Sequence, residues 1–344
     1  MSPTLAKGLC FKRWVVLMAA AFFISGANPA PAKEKSKQTR FPKVSVSLGA
    51  WISTGQTDWN HDATALNSAV GNPTSELIYE DLDSQIIELE AELSLPRRFF
   101  LRTRFGYGLI NDGRLIDDDF VSASGAAFFG ANQSGAHRIS RTFSDIDDEN
   151  LWYLNLDVGY RLWVSADKRS SLQGFIGYQH WEEKLIARGL KQIECTSVGN
   201  FCSAPGTETN AGQKVITNQV RWDSLRVGLG GGHWFTKRFR VETDLAFIPY
   251  SNLLNQDIHH LRLDLQQDPS FEMEGTGIGF NLEIGLKYRL TRHLSFLAGY
   301  RFWSLKVNDG AIKIFNQIGG ADQAKINDFD SERYGATAGL EFLF

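Results

Sequence analysis

From 333 to 344 the chain alternates between two faces. Tyr334, Ala336, Ala338, Leu340, Phe342 and Phe344 form an apolar one; Arg333, Gly335, Thr337, Gly339 and Glu341 form a polar or small one, with Leu343 as the apolar exception. Period two is the pattern of a strand with two different surroundings. The same alternation recurs along the chain and predicts ten strands: 44–54, 75–95, 99–110, 151–164, 171–190, a sixth ending at Phe235, 239–253, 271–290, 294–307 and the last. In the second, Ile87, Leu89, Ala91, Leu93 and Leu95 oppose Glu88, Glu90 and Glu92; in the third, Leu101, Phe105, Tyr107 and Leu109 oppose Arg102 and Arg104.

The connections are of two kinds. Short turns at 96–98, 165–170, 236–238 and 291–293 alternate with long polar stretches at 55–74, 111–150 and 191–214, the one holding Asp257, His259 and His260, and a last one before 333. That asymmetry predicts an all-β fold, a ten-stranded antiparallel transmembrane β-barrel of a bacterial outer membrane. Short turns would lie in the periplasm and long loops outside. Ten strands enclose a narrow lumen filled by side chains, which disfavours an open pore. Glu88, Glu90 and Glu92 facing Arg102 and Arg104 then read as cross-strand ion pairs inside it.

Composition adds little. A formal net charge of -3 over 344 residues gives no reason to expect nucleic acid as a partner, and no apolar run outside the N-terminus is long enough for a spanning helix. Residues 1–32 read as a signal peptide: Lys7, Lys12 and Arg13 precede an apolar segment, and Ala30-Pro-Ala32 offers a small-x-small cleavage site. Residues 33–43 would be a periplasmic segment and 44–344 the barrel. Cys195 and Cys202 lie close together in an exported protein, which predicts a disulfide pinning a surface loop. Tryptophans 51, 152, 163, 181, 222, 234 and 303, near strand ends, suit interfacial girdles.

Chemistry belongs above the strand tips. Ile116-Asp-Asp-Asp-Phe120 follows strand three and Asn255-Gln-Asp-Ile-His-His260 follows strand seven, across a small barrel from each other. Asp runs beside Gly also serve as turn formers in solvated loops, and Asp-x-His arises by chance; the matching register separates these clusters from that background.

In these motifs the sequence resembles the omptins, ten-stranded outer-membrane endopeptidases. Asp117 and Asp119 look like the family's acidic pair after strand three, and Asp257 and His259 like its Asp-x-His dyad after strand seven. Val46-Ser-Leu-Gly49, Tyr153-Leu-Asn-Leu-Asp157, Gly177-Tyr-Gln179 and Ala187-Arg-Gly189 extend the resemblance thinly over most of 43–344. It implies hydrolysis of polypeptides by a water that His259 deprotonates, with Asp257 stabilising the imidazolium. Asp117 and Asp119 would hold that water and share a proton. No metal or other cofactor is required; lipopolysaccharide stands as a candidate activator and, with outer-membrane lipid, as a partner.

Two positions depart from the family. Its acid two residues before the dyad aspartate is Asn255 here, and its acid above strand one has only Asp58 as a candidate, so Asn255 and Asp58 are the substrate-binding candidates and a preference for basic residues is not implied. A one-residue shift would make Asp118 or His260 the partner instead. Arg138 and Arg141 are either solvated or set against lipopolysaccharide phosphates, and His180 and Trp181 read as wall packing. The rival class is a non-catalytic barrel whose loops bind an external surface or ligand.

Overall fold

The computed structural model describes residues 43–130, 137–147 and 149–344; the signal-peptide reading of 1–32 lies outside them. The strands are β1 (Lys43–Asp62), β2 (Val70–Ser94), β3 (Phe99–Val121), β4 (His137–Ile146), β5 (Glu149–Val164), β6 (Ser170–Cys195), β7 (Glu208–Trp234), β8 (Phe239–His259), β9 (Phe271–Arg289), β10 (Leu294–Phe315) and β11 (Ala321–Leu343). One short helix, α1 (Ala123–Phe128), follows β3 and is capped by the Ser122 side chain.

Every strand pairing is antiparallel, and β11 closes the ring on β1, with Leu48 opposite Leu340 and Ala50 opposite Ala338. The ring has ten wall positions. β5 lies between β3 and β6 in the lower half, toward the short turns; β4 takes that place in the upper half, pairing with β3 from Arg114 and with β6 from Ala187. The predicted loop at 111–150 is therefore mostly wall. The predicted loops at 55–74 and 191–214 shrink to connections between Asp62 and Val70 and between Cys195 and Glu208, and strand seven continues from Leu253 to His259. Cys195 and Cys202 are joined by a disulfide across the second connection.

A single inversion explains these differences. In the lower half, apolar side chains such as Ile52, Ile87, Phe105, Val158, Ile176, Val227 and Phe247 face outward and are exposed, as a lipid-facing wall requires. Charges fill the inside: Arg104 pairs with Glu90 at 2.5 Å and with Glu283, Arg301 with Glu88 and with Glu283 at 3.1 Å, and Arg102 with Asp157 at 3.1 Å and Asp244 at 3.3 Å. Of the expected pairs only Glu90–Arg104 forms; Glu88 reaches Arg301 of β10, Glu92 meets Arg161 of β5 at 3.0 Å, and Arg102 joins its β5 neighbour Asp157 as well as Asp244 of β8. A cavity of about 700 Å³ opens beneath this network at the short-turn end.

Higher up the alternation reverses, with polar residues outside and a packed apolar interior of Trp59, Leu77, Tyr79, Leu115, Val220, Leu253, Phe271 and Met273. Wall standing clear of lipid obeys the rule of a soluble sheet, so its strands read as polar loops. Trp51, Trp181, Trp222 and Trp303 are buried in this interior, Trp51 and Trp303 with ring centroids 5.1 Å apart. These four are core residues and not an interfacial girdle; Trp163 does face outward, and Trp234 lines the lower cavity. Between the charged and apolar layers Arg333 of β11 meets Glu183 of β6 at 3.3 Å, and Thr57 donates to Glu183 at 2.5 Å.

Candidate active site

Two bulges aim the candidate residues. On β3 the even-numbered residues Phe100 and Arg102 face inward, but the register with β2 shifts at Asp112, after which Leu115, Asp117 and Asp119 point into the lumen. On β8 Ala246 and Ile248 face inward until the register with β9 shifts between Ile248 and Ser251, around Pro249. The inward column then becomes Ser251, Leu253, Asn255, Asp257 and His259. Proline cannot donate to a ladder and sits where the ladder breaks.

Asp257 is fully buried, and neither carboxylate oxygen has a hydrogen-bond partner among the described residues. Its Oδ2 stands 3.5 Å from Nε2 of His259, whose side chain is 15% exposed. This is an ion-pair contact short of a formed hydrogen bond, a spacing usual for catalytic groups before substrate binds. Ser270 holds the segment from behind: its amide donates to the Asp257 carbonyl at 2.8 Å, and its hydroxyl accepts from the His259 amide at 3.0 Å. Asn218, opposite Asp257 on β7, is also fully buried with both amide atoms unpartnered among the described residues.

Burial pushes the Asp117 carboxyl up, and Asp119 adds to it; burial likewise raises Asp119, against the pull of His259 and Arg262. The pair titrates between about 6 and about 8. Burial pushes His259 down, but the fields of Asp257 and Asp117 outweigh it and hold the imidazole above its usual value. The two walls therefore act on each other electrostatically. Tyr79, buried with its hydroxyl unpartnered among the described residues, feels both: burial first, then Asp257 and Asp117, keep its phenol well above the usual range.

Asp58 is on the outward face of β1. It accepts from Gln56 at 3.0 Å and is pushed up to about 6 by burial and then by Asp330. It does not line the site, because the inward positions of β1 are the odd-numbered ones. Asn255 does face inward, in the column of Asp257, with its amide donating to the Met273 sulfur at 3.6 Å. Asp118 points outward and is engaged by Arg141 at 2.5 Å and Arg138 at 3.3 Å, which also gives both arginines a carboxylate. His260 shares a hydrogen bond with Thr217 at 2.8 Å. Neither replaces Asp117, Asp119 or His259. His180, expected as packing, contacts Asp223 at 2.8 Å and the Trp152 ring at 4.3 Å.

One site residue was not foreseen. His61, inward on β1 and buried, packs against Phe271, which also packs against His259. Its Nδ1 has no partner among the described residues, and burial, then His259, push it down to about 4. Continuing the parity of Trp51 and Ser53 would have found it, had 55–62 been read as strand. Among the described residues no group of three or more His, Cys, Asp or Glu is arranged to hold a metal ion.

A family model described as Pom, Protochlamydia outer membrane protein, matches residues 54–344. The outer membrane protease OmpT from Escherichia coli is similar in structure over 89% of this chain and 99% of its own, with a TM-score of 0.71 at 13% sequence identity. The outer membrane protein OprG from Pseudomonas aeruginosa covers 88% of this chain and 96% of its own at 9% identity and a TM-score of 0.36. The translocator domain of the autotransporter NalP from Neisseria meningitidis covers 97% and 95% at 9% identity and a TM-score of 0.35. No curated protein sequence matches. At 13% identity the likeness to OmpT carries the barrel and nothing finer.

Proposed function

The chain belongs to the Protochlamydia outer membrane protein family, and we propose that this outer-membrane barrel is an omptin-like endopeptidase, cleaving extracellular polypeptides at the end away from its short turns. The observation that carries the reading is the facing of two walls: Asp257 and His259 turned inward on β8, Asp117 and Asp119 turned inward on β3, each pair altering the other's protonation. The barrel it shares with the outer membrane protease OmpT is a scaffold on which such a reading can stand.

In this mechanism a water molecule attacks the scissile carbonyl. With Nε2 turned toward Asp257, Nδ1 of His259 takes the water's proton, and Asp257 stabilises the imidazolium. Asp117 and Asp119 hold the water with one shared proton between them, and Tyr79 offers its O–H to the carbonyl oxygen as it gains charge. The tetrahedral adduct collapses with cleavage of the C–N bond, and the leaving nitrogen takes a proton from His259 or the acid pair. No covalent intermediate forms, the step calls for no cofactor, and lipopolysaccharide is the proposed activator.

The test is cleavage of a mixed peptide library by refolded protein in lipopolysaccharide-containing micelles, beside His259→Ala. Cleavage by the wild type alone supports the reading; a correctly folded wild type that cleaves nothing defeats it. A second reading is favoured by the closure of the site, where Asp257 is wholly buried and His259 nearly so. In it the barrel is a catalytically silent scaffold whose upper end binds an external ligand, and that binding survives His259→Ala.

A further inference from the structure

The two ends of the barrel differ in charge. Exposed cations sit in every short turn: Arg97 and Arg98 after β2, Lys168 after β5, Lys237 and Arg238 after β7, and Arg292 after β9. None of these six has an acidic partner within 4.0 Å among the described residues. Arg169 does, with Asp167 at 3.8 Å, and Asp167 is the one carboxylate side chain in the four turns. At the opposite end, the described connecting residues carry Arg262, Asp264 and Asp268 as their Lys, Arg, Asp or Glu side chains, and Arg262 is paired with Asp264 at 2.6 Å.

The height of the cations is set by what precedes them. Exposed apolar or aromatic side chains run to the edge of each turn: Phe99 beside Arg98, Trp163 and Val164 before Ser165, Phe235 before Thr236, and Leu290 before Thr291. Where the outward wall stops being apolar, hydrocarbon gives way to headgroups. The cations lie one to four residues past that line, in the headgroup layer. Arg97, Arg98 and Lys168 also take positive φ of 59, 73 and 59°, a backbone region that glycine or asparagine enters without strain. The turn geometry itself asks for neither arginine nor lysine there.

We propose that the short-turn rim is a cationic collar that binds the anionic phospholipid headgroups of the leaflet on its side of the membrane. The charge is spread around the rim, one patch per turn, which suits many single headgroups better than one compact ligand. The guanidinium groups of Arg97, Arg98 and Arg238 can each take a phosphate through two parallel N–H donors. This assignment is independent of whether the upper end cleaves peptides.

Boundary-lipid selectivity tests it. Full-length barrel would be reconstituted in phosphatidylcholine, and the association of spin-labelled phosphatidylglycerol compared with that of spin-labelled phosphatidylcholine. One cation near a membrane surface favours an anionic headgroup by roughly fivefold, so a several-fold average preference is expected in low salt, falling toward parity in 1 M salt. The quadruple variant Arg97→Gln, Arg98→Gln, Lys237→Gln, Arg238→Gln should lose most of it, and Arg262→Gln should keep it, both checked for folding by heat-modifiable gel migration. Should the quadruple variant not fold, the salt dependence and the single variants Arg98→Gln and Arg238→Gln carry the test. Equal association of both lipids with the wild type overturns the proposal, as does an undiminished preference in the variants. Equal association together with turn-dependent retention on peptidoglycan sacculi overturns it in favour of a cell-wall polyanion.

Discussion

His61 and His259, from opposite sides of the sequence, pack against one ring: the Phe271 centroid lies 6.5 Å from the first imidazole and 4.8 Å from the second. Their surroundings push them apart in charge. His259 has two carboxylates in its field and is held above the usual histidine value, whereas His61 has burial and a neighbouring imidazole and falls to about 4. One ring thus separates a readily charged histidine from a persistently neutral one, and in the proposed mechanism the proton passes through the first.

His61 should therefore stay neutral from pH 8 down to about pH 5, and imidazole resonances recorded in micelles should show His259 titrating while His61 does not. The unfolded chain protonates His61 near 6.5 and the folded one near 4, so its contribution to stability is present above 6.5 and lost as pH falls through that window. His61→Phe keeps the ring contacts and removes the loss. The drop in thermal midpoint from pH 7 to pH 4 should be smaller in the variant; an equal or larger drop would contradict the burial argument.

The acid pair works in the opposite direction. Asp117 and Asp119 titrate between about 6 and about 8 in the fold but near 3.8 when unfolded. The folded state thus binds more protons across that interval, and stability present below pH 4 is lost as pH rises toward 8. Asp117→Asn removes the like-charge repulsion, so it should raise the thermal midpoint at pH 8 more than at pH 5. If the pair is also the water-holding group, peptide cleavage falls by about 10²-fold or more in that variant. A gain over the wild type that is equal at both pH values would mean that the two carboxylates do not share a site.

How far the sequence carried this site follows from the bulges. The strand faces of the lipid-facing half were legible because lipid outside and charge inside give the sharpest alternation a strand can show. The ten wall positions and the inward Arg102 and Arg104 followed from it. Extending that parity from Arg104 past Ile110 would have turned Asp118 inward and Asp117 and Asp119 out. One extra residue at 111–112 reverses the assignment, and nothing in Ile110-Asn-Asp-Gly113 announces a bulge rather than a turn. The family motif located the acids where periodicity alone would have chosen their neighbour. Asp58 and His61 show the converse: the family's acid above strand one points to Asp58, but with 55–62 read as loop the parity that turns Asp58 outward and His61 inward is hidden.

Arg333 and Glu183 lie above the charged lower lumen, each 1% exposed, and join β11 to β6 across the interior. Arg333 also donates to Ser84 at 2.7 Å and to the Leu82 carbonyl at 3.0 Å. Removing one member of such a pair leaves a buried charge without its counterion, a cost of about 3–5 kcal/mol. Arg333→Met should slow refolding and lower the thermal midpoint sharply, while Arg333→Met with Glu183→Gln should recover much of the loss. A double variant worse than the single by the full sum would show that the two residues act separately.

Asn255 gives the sharpest test of substrate choice. It lies one inward position before Asp257, fully buried, its amide turned to the Met273 sulfur and its carbonyl oxygen unpartnered among the described residues. A neutral amide over a thioether offers a lysine or arginine side chain no counterion and makes it give up its hydration, so wild-type cleavage should show no preference for basic residues. Asn255→Asp puts a carboxylate there without changing shape. The ratio of kcat/KM between matched peptides carrying lysine or norleucine should rise by about tenfold or more, since the neutral peptide gains nothing from the charge and the cationic one no longer desolvates unpaired. The new charge also adds to the field of Asp257 at His259, so the acid limb of the pH–rate profile should move upward in the same variant. An unchanged ratio with activity retained would mean that bound peptide does not reach the floor of this column, and specificity would then be set nearer the rim, around Arg262.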